Sequence, residues 1–304
     1  VINSNSNINI LSTTRTTIEA KMTEYKLTIE HSPHEADVSI IRRGLSAYNV
    51  EQVGDDAFYE YAIFLKDDHA RINGGAFAEL MWGWVGILSL WVARDLRGQG
   101  HGGRLLAALE HEAVIRGYTH SFLIAGSFQS AAFFIENGYG VFGKLENYPP
   151  GHKLYWLKKE NLIEQPHGFA IITNPSEEQL AILRRGVHDY ERSQRVYVQP
   201  NDFAVFIRDK KFHIHGGAVG SLMGGWFYLS VLWIEEALRG QGYGTNVLAL
   251  MEQEALRYGI TRAFTDTTDF QALEFYQRNG YEVFAQIDNR PAGHVSYMLK
   301  KENL

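Results

Sequence analysis

The chain of 304 residues contains no cysteine. That absence excludes disulfides, a thiolate nucleophile and zinc–thiolate sites together. It fits a reducing compartment, and the cytoplasm is the expected location. Basic charge is also scarce: 29 Lys and Arg stand against 35 Asp and Glu, a formal net charge of −6. A nucleic-acid binder needs a basic face, so nucleic acid is not an expected partner, whereas a cationic one is mildly favoured. No apolar run approaches the ~20 residues that span a bilayer, so no membrane partner is expected. The opening stretch, VINSNSNINILSTTRTTIEAK, lacks the apolar core of roughly 7–15 residues that marks a signal peptide. Residues 1–24 are read as a flexible leader, with Met22 a candidate natural start. What is present, 45% hydrophobic and 21% charged residues, suits a globular protein long enough for two ordinary domains.

The chain repeats itself. Shifting it by 142 positions lays IIRRG (40–44) on ILRRG (182–186), INGGA (72–76) on IHGGA (214–218), and FQSAAFFIENGYGVF (128–142) on FQALEFYQRNGYEVF (270–284); LKKENL ends both copies. A period this long signals duplicated domains rather than a solenoid. The expected division is 25–162 and 168–304, with 163–167 as linker, where IEQPH carries a proline.

Each copy shows the same order of signals. A short strand leads into a helix carrying a paired arginine, read as a solvated or bracing face. Strands follow, among them GILSLWV (86–92) and YLSVLWI (228–234), whose bulky and β-branched residues read as buried. Then comes a glycine hexapeptide, RGQGHG (97–102) or RGQGYG (239–244), and a helix with apolar residues at helical spacing that stops at Gly117 or Gly259. A strand, a helix closing at Asn-Gly and two last strands complete the copy.

Strand, glycine loop and helix N-terminus in that order make an anion site, because free amides of the first turn converge and the helix dipole adds positive potential. Glycine lets a pyrophosphate approach the backbone; Arg97 and Arg239 can add charge or brace the loop. The dinucleotide pattern G-x-G-x-x-G fits the first copy but breaks at Thr245 in the second, and the acidic ribose partner is absent from both. The nucleotide P-loop fails at Gly103-Arg104-Leu105.

The run L-W-[VI]-x4-R-G-Q-G-x-G resembles the central motif of the GNAT superfamily of acetyl-CoA-dependent N-acetyltransferases. The GG turn, the aromatic strands at 82–84 and 224–226, the FQ…NGY helix and the N-x-P-x-G-H element (147–152, 289–294) extend the resemblance over both copies. It implies an α+β protein of two tandem GNAT folds, each a mixed, mainly antiparallel twisted sheet flanked by helices, with acetyl-CoA as cosubstrate in a V-shaped split between central strands. It implies that Leu232, Trp233 and Ile234 flank the pantetheine, and that Arg239, Gly240, Gln241, Gly242, Tyr243 and Gly244 hold the pyrophosphate. Leu90, Trp91 and Val92, with Arg97, Gly98, Gln99, Gly100, His101 and Gly102, match them in the first copy. It also implies Tyr276 as the acid for the departing thiolate. The first copy has Phe134 there, and Ile124 and Ala125 where the second has Asp266 and Thr267, so the second copy is the expected catalyst of acetyl transfer to an amine by direct attack. The first is expected to bind CoA, to be structural, or to dock a protein partner. Glu235 and Asp266 are the candidate bases. His294 falls in the acceptor wall but recurs as His152, which weakens it as a unique base. His213 and His215 lack a third ligand, and no metal is expected. The alternative is a CoA-sensing or partner-binding protein with little catalysis.

Overall fold

The computed structural model describes residues 24–54, 58–129, 131–165, 167–194, 196 and 201–304. All but the last residue of the expected leader lies outside them, as does Pro166 of the expected linker.

Two seven-stranded sheets organise the chain. In order, its elements are β1 (Lys26–His31), α1 (Glu35–Val53), β2 (Tyr59–Lys66), β3 (Ile72–Met81), β4 (Trp84–Val92), α2 (His101–Ile115), β5 (His120–Gly126), α3 (Ala131–Glu136), β6 (Gly140–Glu146) and β7 (Lys153–Glu160). The second copy contributes β8 (Ile171–Thr173), α4 (Glu177–Ser193), β9 (Asn201–Arg208), β10 (Ile214–Met223), β11 (Trp226–Ile234), α5 (Tyr243–Arg257), β12 (Ala263–Thr268), α6 (Leu273–Arg278), β13 (Glu282–Asp288) and β14 (Val295–Lys301). Most pairings are antiparallel; β4 with β5 and β11 with β12 are parallel, and helices bridge these two pairs. Each sheet is therefore mixed, and the architecture is that of two tandem GNAT folds.

The sequence repeat and the sheets do not share a boundary. One sheet runs β1-β9-β10-β11-β12-β14-β13 and the other β6-β7-β5-β4-β3-β2-β8. Six residues of β1 pair with β9, from Lys26 opposite Arg208 to His31 opposite Phe203. Reciprocally, Tyr61 to Ile63 of β2 pair with β8. The helices cross with their strands: α1 packs on β10 and β11, α4 on β3 and β4. Each folded unit thus takes its first strand and helix from the other copy. We call the unit built on β2–β7 the first unit and that built on β9–β14 the second.

A notch in each helix explains its seat. A Cβ at Gly44 of α1 would lie 2.3 Å from the Trp233 ring of β11, and one at Gly186 of α4 would lie 2.2 Å from the Trp91 ring of β4. Only glycine lets the indole lie against the helix backbone. Arg208 of β9 adds hydrogen-bonded ion pairs to Glu30 (2.9 Å) and Asp37 (2.8 Å) on the crossing segment.

On the opposite face of the second sheet, α5 buries Val247, Leu248, Met251 and Ala255. Each large aliphatic side chain so removed from water is worth about 1.5–3 kcal/mol. Between the units lies a third core of Trp84, Tyr148, Trp156, Trp226, Phe264 and Met298, with residues from both sheets. Two indoles cap it in near-symmetric fashion: Trp84 Nε1 donates to the Asn289 carbonyl and Trp226 Nε1 to the Glu146 carbonyl, both at 3.3 Å. The same patch faces itself across a pseudo-twofold, as in a symmetric dimer.

Candidate active site

The site follows from where pairing stops. Strands β11 and β12 pair in parallel only from Phe227 to Leu229, although β11 continues to Ile234 and β12 to Thr268. Just beyond, the register of β11 against β10 slips by one residue at Ser230. The two central strands then diverge, and the edge of β11 that faces β12 is left unpaired. The first unit repeats this: β4 and β5 pair only from Val85 to Ile87, with the slip at Leu88. A V-shaped split is present in both sheets.

Below each split sits the glycine loop. Gly98, Gly100, Gly240 and Gly242 have φ between 72° and 85°, a region closed to most side chains. Gly100 and Gly242 are the N-caps of α2 and α5, and no side chain caps either helix. Uncapped first-turn amides behind open glycines suit a phosphate. The arginines brace this loop: Arg97 Nε donates to the Val92 carbonyl (2.8 Å) and Arg239 Nε to that of Ile234 (2.9 Å). Each guanidinium also lies over a ring of the crossing helix, Arg97 on Tyr190 at 4.7 Å and Arg239 on Tyr48 at 5.1 Å.

The second unit's cavity measures about 860 Å³ and the first's about 500 Å³. Leu232, Trp233, Ile234, Arg239, Gly240, Gly242 and Gly244 line the larger; Leu90, Trp91, Val92, Arg97, Gly98, Gly100, His101 and Gly102 line the smaller. Three expected loop residues do not line a cavity. Gln99 and Gln241 turn back to the carbonyls of Asp95 (2.9 Å) and Ala237 (2.6 Å), and the Tyr243 side chain is in the core.

Tyr276 and Asp266 meet in the larger cavity. Tyr276 is 5% exposed, and burial pushes its phenol well above the usual tyrosine range, although the Thr265 hydroxyl beside it acts in the other direction. It therefore holds its proton at neutral pH. Asp266 is exposed at the cavity wall, with buried neighbours on either side of it in β12. Desolvation raises its carboxyl above the ordinary value, outweighing the Arg290 cation nearby and the hydrogen bond from Tyr228 Oη (3.2 Å), both of which lower it.

Glu235, a candidate base in the sequence, is placed elsewhere. Its carboxylate is 2.5 Å from His215 Nδ1, and it does not line the cavity. The cause is strand geometry: the residue after Ile234 turns into the 3₁₀ segment Glu236–Leu238, beside His215 of β10. His294 is also outside, with Nδ1 2.9 Å from Asp269.

The sequence reading missed the other end of the cavity. Tyr48 and Asn49 of α1, Met81 at the end of β3 and Trp82 of the β3–β4 turn belong to the first copy yet line the second unit's site. Gln271 Nε2 donates to Asn49 Oδ1 (2.7 Å), and Tyr48 Oη to the Phe270 carbonyl (2.8 Å). Arg290 completes this wall. The signal was available for Arg290 and Tyr228: they align with Tyr148 and Gly86, replacements of the same kind as Phe134 for Tyr276.

The family model described as the acetyltransferase (GNAT) family matches residues 33–139 and again 155–281. The chain belongs to the GNAT acetyltransferase family. It is an N-acetyltransferase with two GNAT domains, and its family implies an acyl-CoA donor and an amine acceptor. A blasticidin-S acetyltransferase from Streptomyces morookaense is 35% identical over 101 residues, 33% of this chain and 74% of that protein. The acetyltransferase Atu2258 of Agrobacterium fabrum is 34% identical over 100 residues, 33% of this chain and 73% of its own length. Among solved structures, an acetyltransferase from Bacillus cereus is 26% identical; the match covers 44% of this chain and 96% of that one, with a TM-score of 0.40. In this GNAT chain the diverging strands, open glycines and uncapped helix end of each unit fit the thioester carrier's pantetheine and diphosphate.

Proposed function

We propose that the second unit transfers the acetyl group directly from acetyl-CoA to an amine, and that the first unit holds CoA without transferring from it. The observation that carries this reading is a difference between the two cavities at corresponding positions of the repeat. Both keep the split and the glycine cradle. Only the larger has a phenol and a carboxyl group at the split, Tyr276 and Asp266, where the smaller has Phe134 and Ile124.

When bound, acetyl-CoA supplies a thioester whose C–S bond breaks as the amine forms its N–C bond. Asp266 accepts the proton that the amine must lose, directly or through one water. Tyr276 gives its proton to the departing sulfur. The unpaired edge of β11 orients the acyl group, and Arg239 fixes the loop against the strand end. In this reading Asp266 takes the base role for which the sequence also offered Glu235, because only Asp266 faces the cavity.

The test is acetyl transfer to a panel of amines, blasticidin S among them because of the relative named above, together with calorimetric counting of CoA sites. Tyr276→Phe should lower kcat by about 10²–10⁴, the usual worth of a positioned acid, while CoA still binds two sites. A near-normal kcat removes Tyr276 from the chemistry; a single CoA site removes the first unit's role as a binder.

A further inference from the structure

We infer that the acceptor is a small zwitterion, an amine and a carboxylate on one short carbon frame, and that Arg290 holds the carboxylate in a pocket walled by both copies of the repeat. The inference rests on the acetyl-transfer reading above and names its substrate class.

Arg290 is an unusual cation. It lines the cavity and is only 8% exposed. Its Nε is buried without a hydrogen-bond partner, and Nη1 reaches only the Ser296 hydroxyl, at 3.5 Å. Among the described residues no carboxylate forms an ion pair with it; Asp266 and Glu79 act on it only at longer range. A buried charge of this kind is expensive unless something pairs with it. The guanidinium is nevertheless held firmly. The Phe122 ring lies 4.4 Å away and the Trp82 ring 5.6 Å, both from the first unit. Its backbone is pinned by Ser296 Oγ, which donates to the Arg290 carbonyl at 2.7 Å, and by its own amide, which donates to that of His294 at 3.0 Å. A preorganised planar donor with a free Nε in a cavity wall is suited to a carboxylate. The amine of the same molecule then faces Asp266, which Tyr228 orients.

The first unit serves as the internal control. Where the second has Arg290, Asp266, Tyr228 and Ser296, the first has Tyr148, Ile124, Gly86 and Leu154. Trp82, which closes the pocket from across the interface, corresponds to Gly224. There, Tyr148 packs within 3.1 Å of where a Cβ on Gly224 would stand, and neither residue lines the smaller cavity. The whole polar set disappears with the catalytic pair, although Tyr148 fills the same structural position. A set needed only to join the units would have been kept on both sides of a pseudo-twofold interface.

The experiment uses the full chain and matched pairs of acceptors: alanine with ethylamine, leucine with isoamylamine, phenylalanine with 2-phenylethylamine. Binding to the CoA-saturated protein is followed by calorimetry, and acetyl transfer is measured separately. We expect the acid of at least one pair to be favoured about 10- to 100-fold, the range of a charge-assisted hydrogen-bonded contact. Arg290→Gln should abolish that preference, weakening the acid about 10- to 100-fold more than its amine. Arg290→Lys should retain part of it, and thermal melts report whether either variant is folded. Trp82→Gly, which installs the first unit's counterpart, should weaken the same acid. Equal use of both members of every pair, or an equal loss for both in Arg290→Gln, overturns the proposal while leaving acetyl transfer intact. Tight binding of an acid without turnover would instead sink the transfer reading and leave the pocket standing. Failure of every acid to bind sinks the pocket.

Discussion

A carboxyl group crowded by protein atoms at a cavity wall is easier to protonate than one on the unfolded chain. Asp266 is in that position: desolvation raises it above its ordinary value of 3.8. The native state then binds a proton more tightly than the unfolded state, so stability falls as pH rises from the unfolded value through the raised one, and is level above it. Glu79, half-buried near Arg290 and raised by desolvation, has the same sign. Asp266→Asn should remove its share of this dependence. Melting temperatures of the two proteins from pH 4 to 8 should therefore diverge, the variant gaining on the wild type as pH rises and holding a constant lead above the native titration. A lead that shrinks with rising pH would mean that the carboxylate is stabilised by Arg290 more than burial penalises it. For the base role proposed above, the raised value brings the proton acceptor closer to neutrality, where a general base is most effective. Tyr276, raised by the same physics, stays protonated throughout.

At the level of elements, the crossing of β1 and α1 makes a prediction that an uncrossed fold would reverse. Gly44 is in the first copy of the repeat, but the indole it accommodates, Trp233, lines the second unit's cavity. Gly44→Ala should displace that ring, cost about 1–3 kcal/mol as overpacking does, and weaken CoA binding in the unit that carries Tyr276. Gly186→Ala should disturb Trp91 and the first unit's cavity, sparing Tyr276-dependent turnover. The opposite assignment, read from steady-state KM for acetyl-CoA, would show that each helix serves its own copy. This crossing was not legible in the sequence, and the reason is the repeat itself. Both copies carry the same R-R-G notch and the same tryptophan, so either helix satisfies either sheet, and no periodicity chooses between them. The strands, the two glycine loops, the helix starts and the pair Tyr276/Phe134 were legible, because each depends on residues close in the chain. The position of Glu235 off the cavity was not legible, because adjacency to a strand end says nothing about which way the chain turns after it. The far wall of the cavity, from Tyr48 to Trp82, was invisible for the same reason as the crossing.

For the molecule as a whole, the proposed division of labour gives a reason to keep the first unit: the second unit's cavity is incomplete without it. The first copy supplies the second unit with an edge strand, a helix over the split and the turn that walls the far end of the cavity, besides half of an aromatic core that neither sheet could leave exposed. The peptide link between the copies should then be dispensable once folding is complete. Ile163, 64% exposed, lies between them and suits an inserted protease site. After cleavage there, the two fragments should co-elute by native gel filtration at ~1 µM, keep the turnover of the intact enzyme, and unfold in one cooperative transition, since the strand pairings β1–β9 and β2–β8 and both helix seats cross the cut in opposite directions. Only denaturant should part them, and on refolding at high dilution the yield should fall with concentration, because association that the link made intramolecular has become bimolecular. Fragments that separate under native conditions would mean that the exchanged segments contribute little. A second-copy fragment that is fully active alone would mean that its own β8 and α4 can replace β1 and α1, and that Trp82 and Tyr48 are spectators.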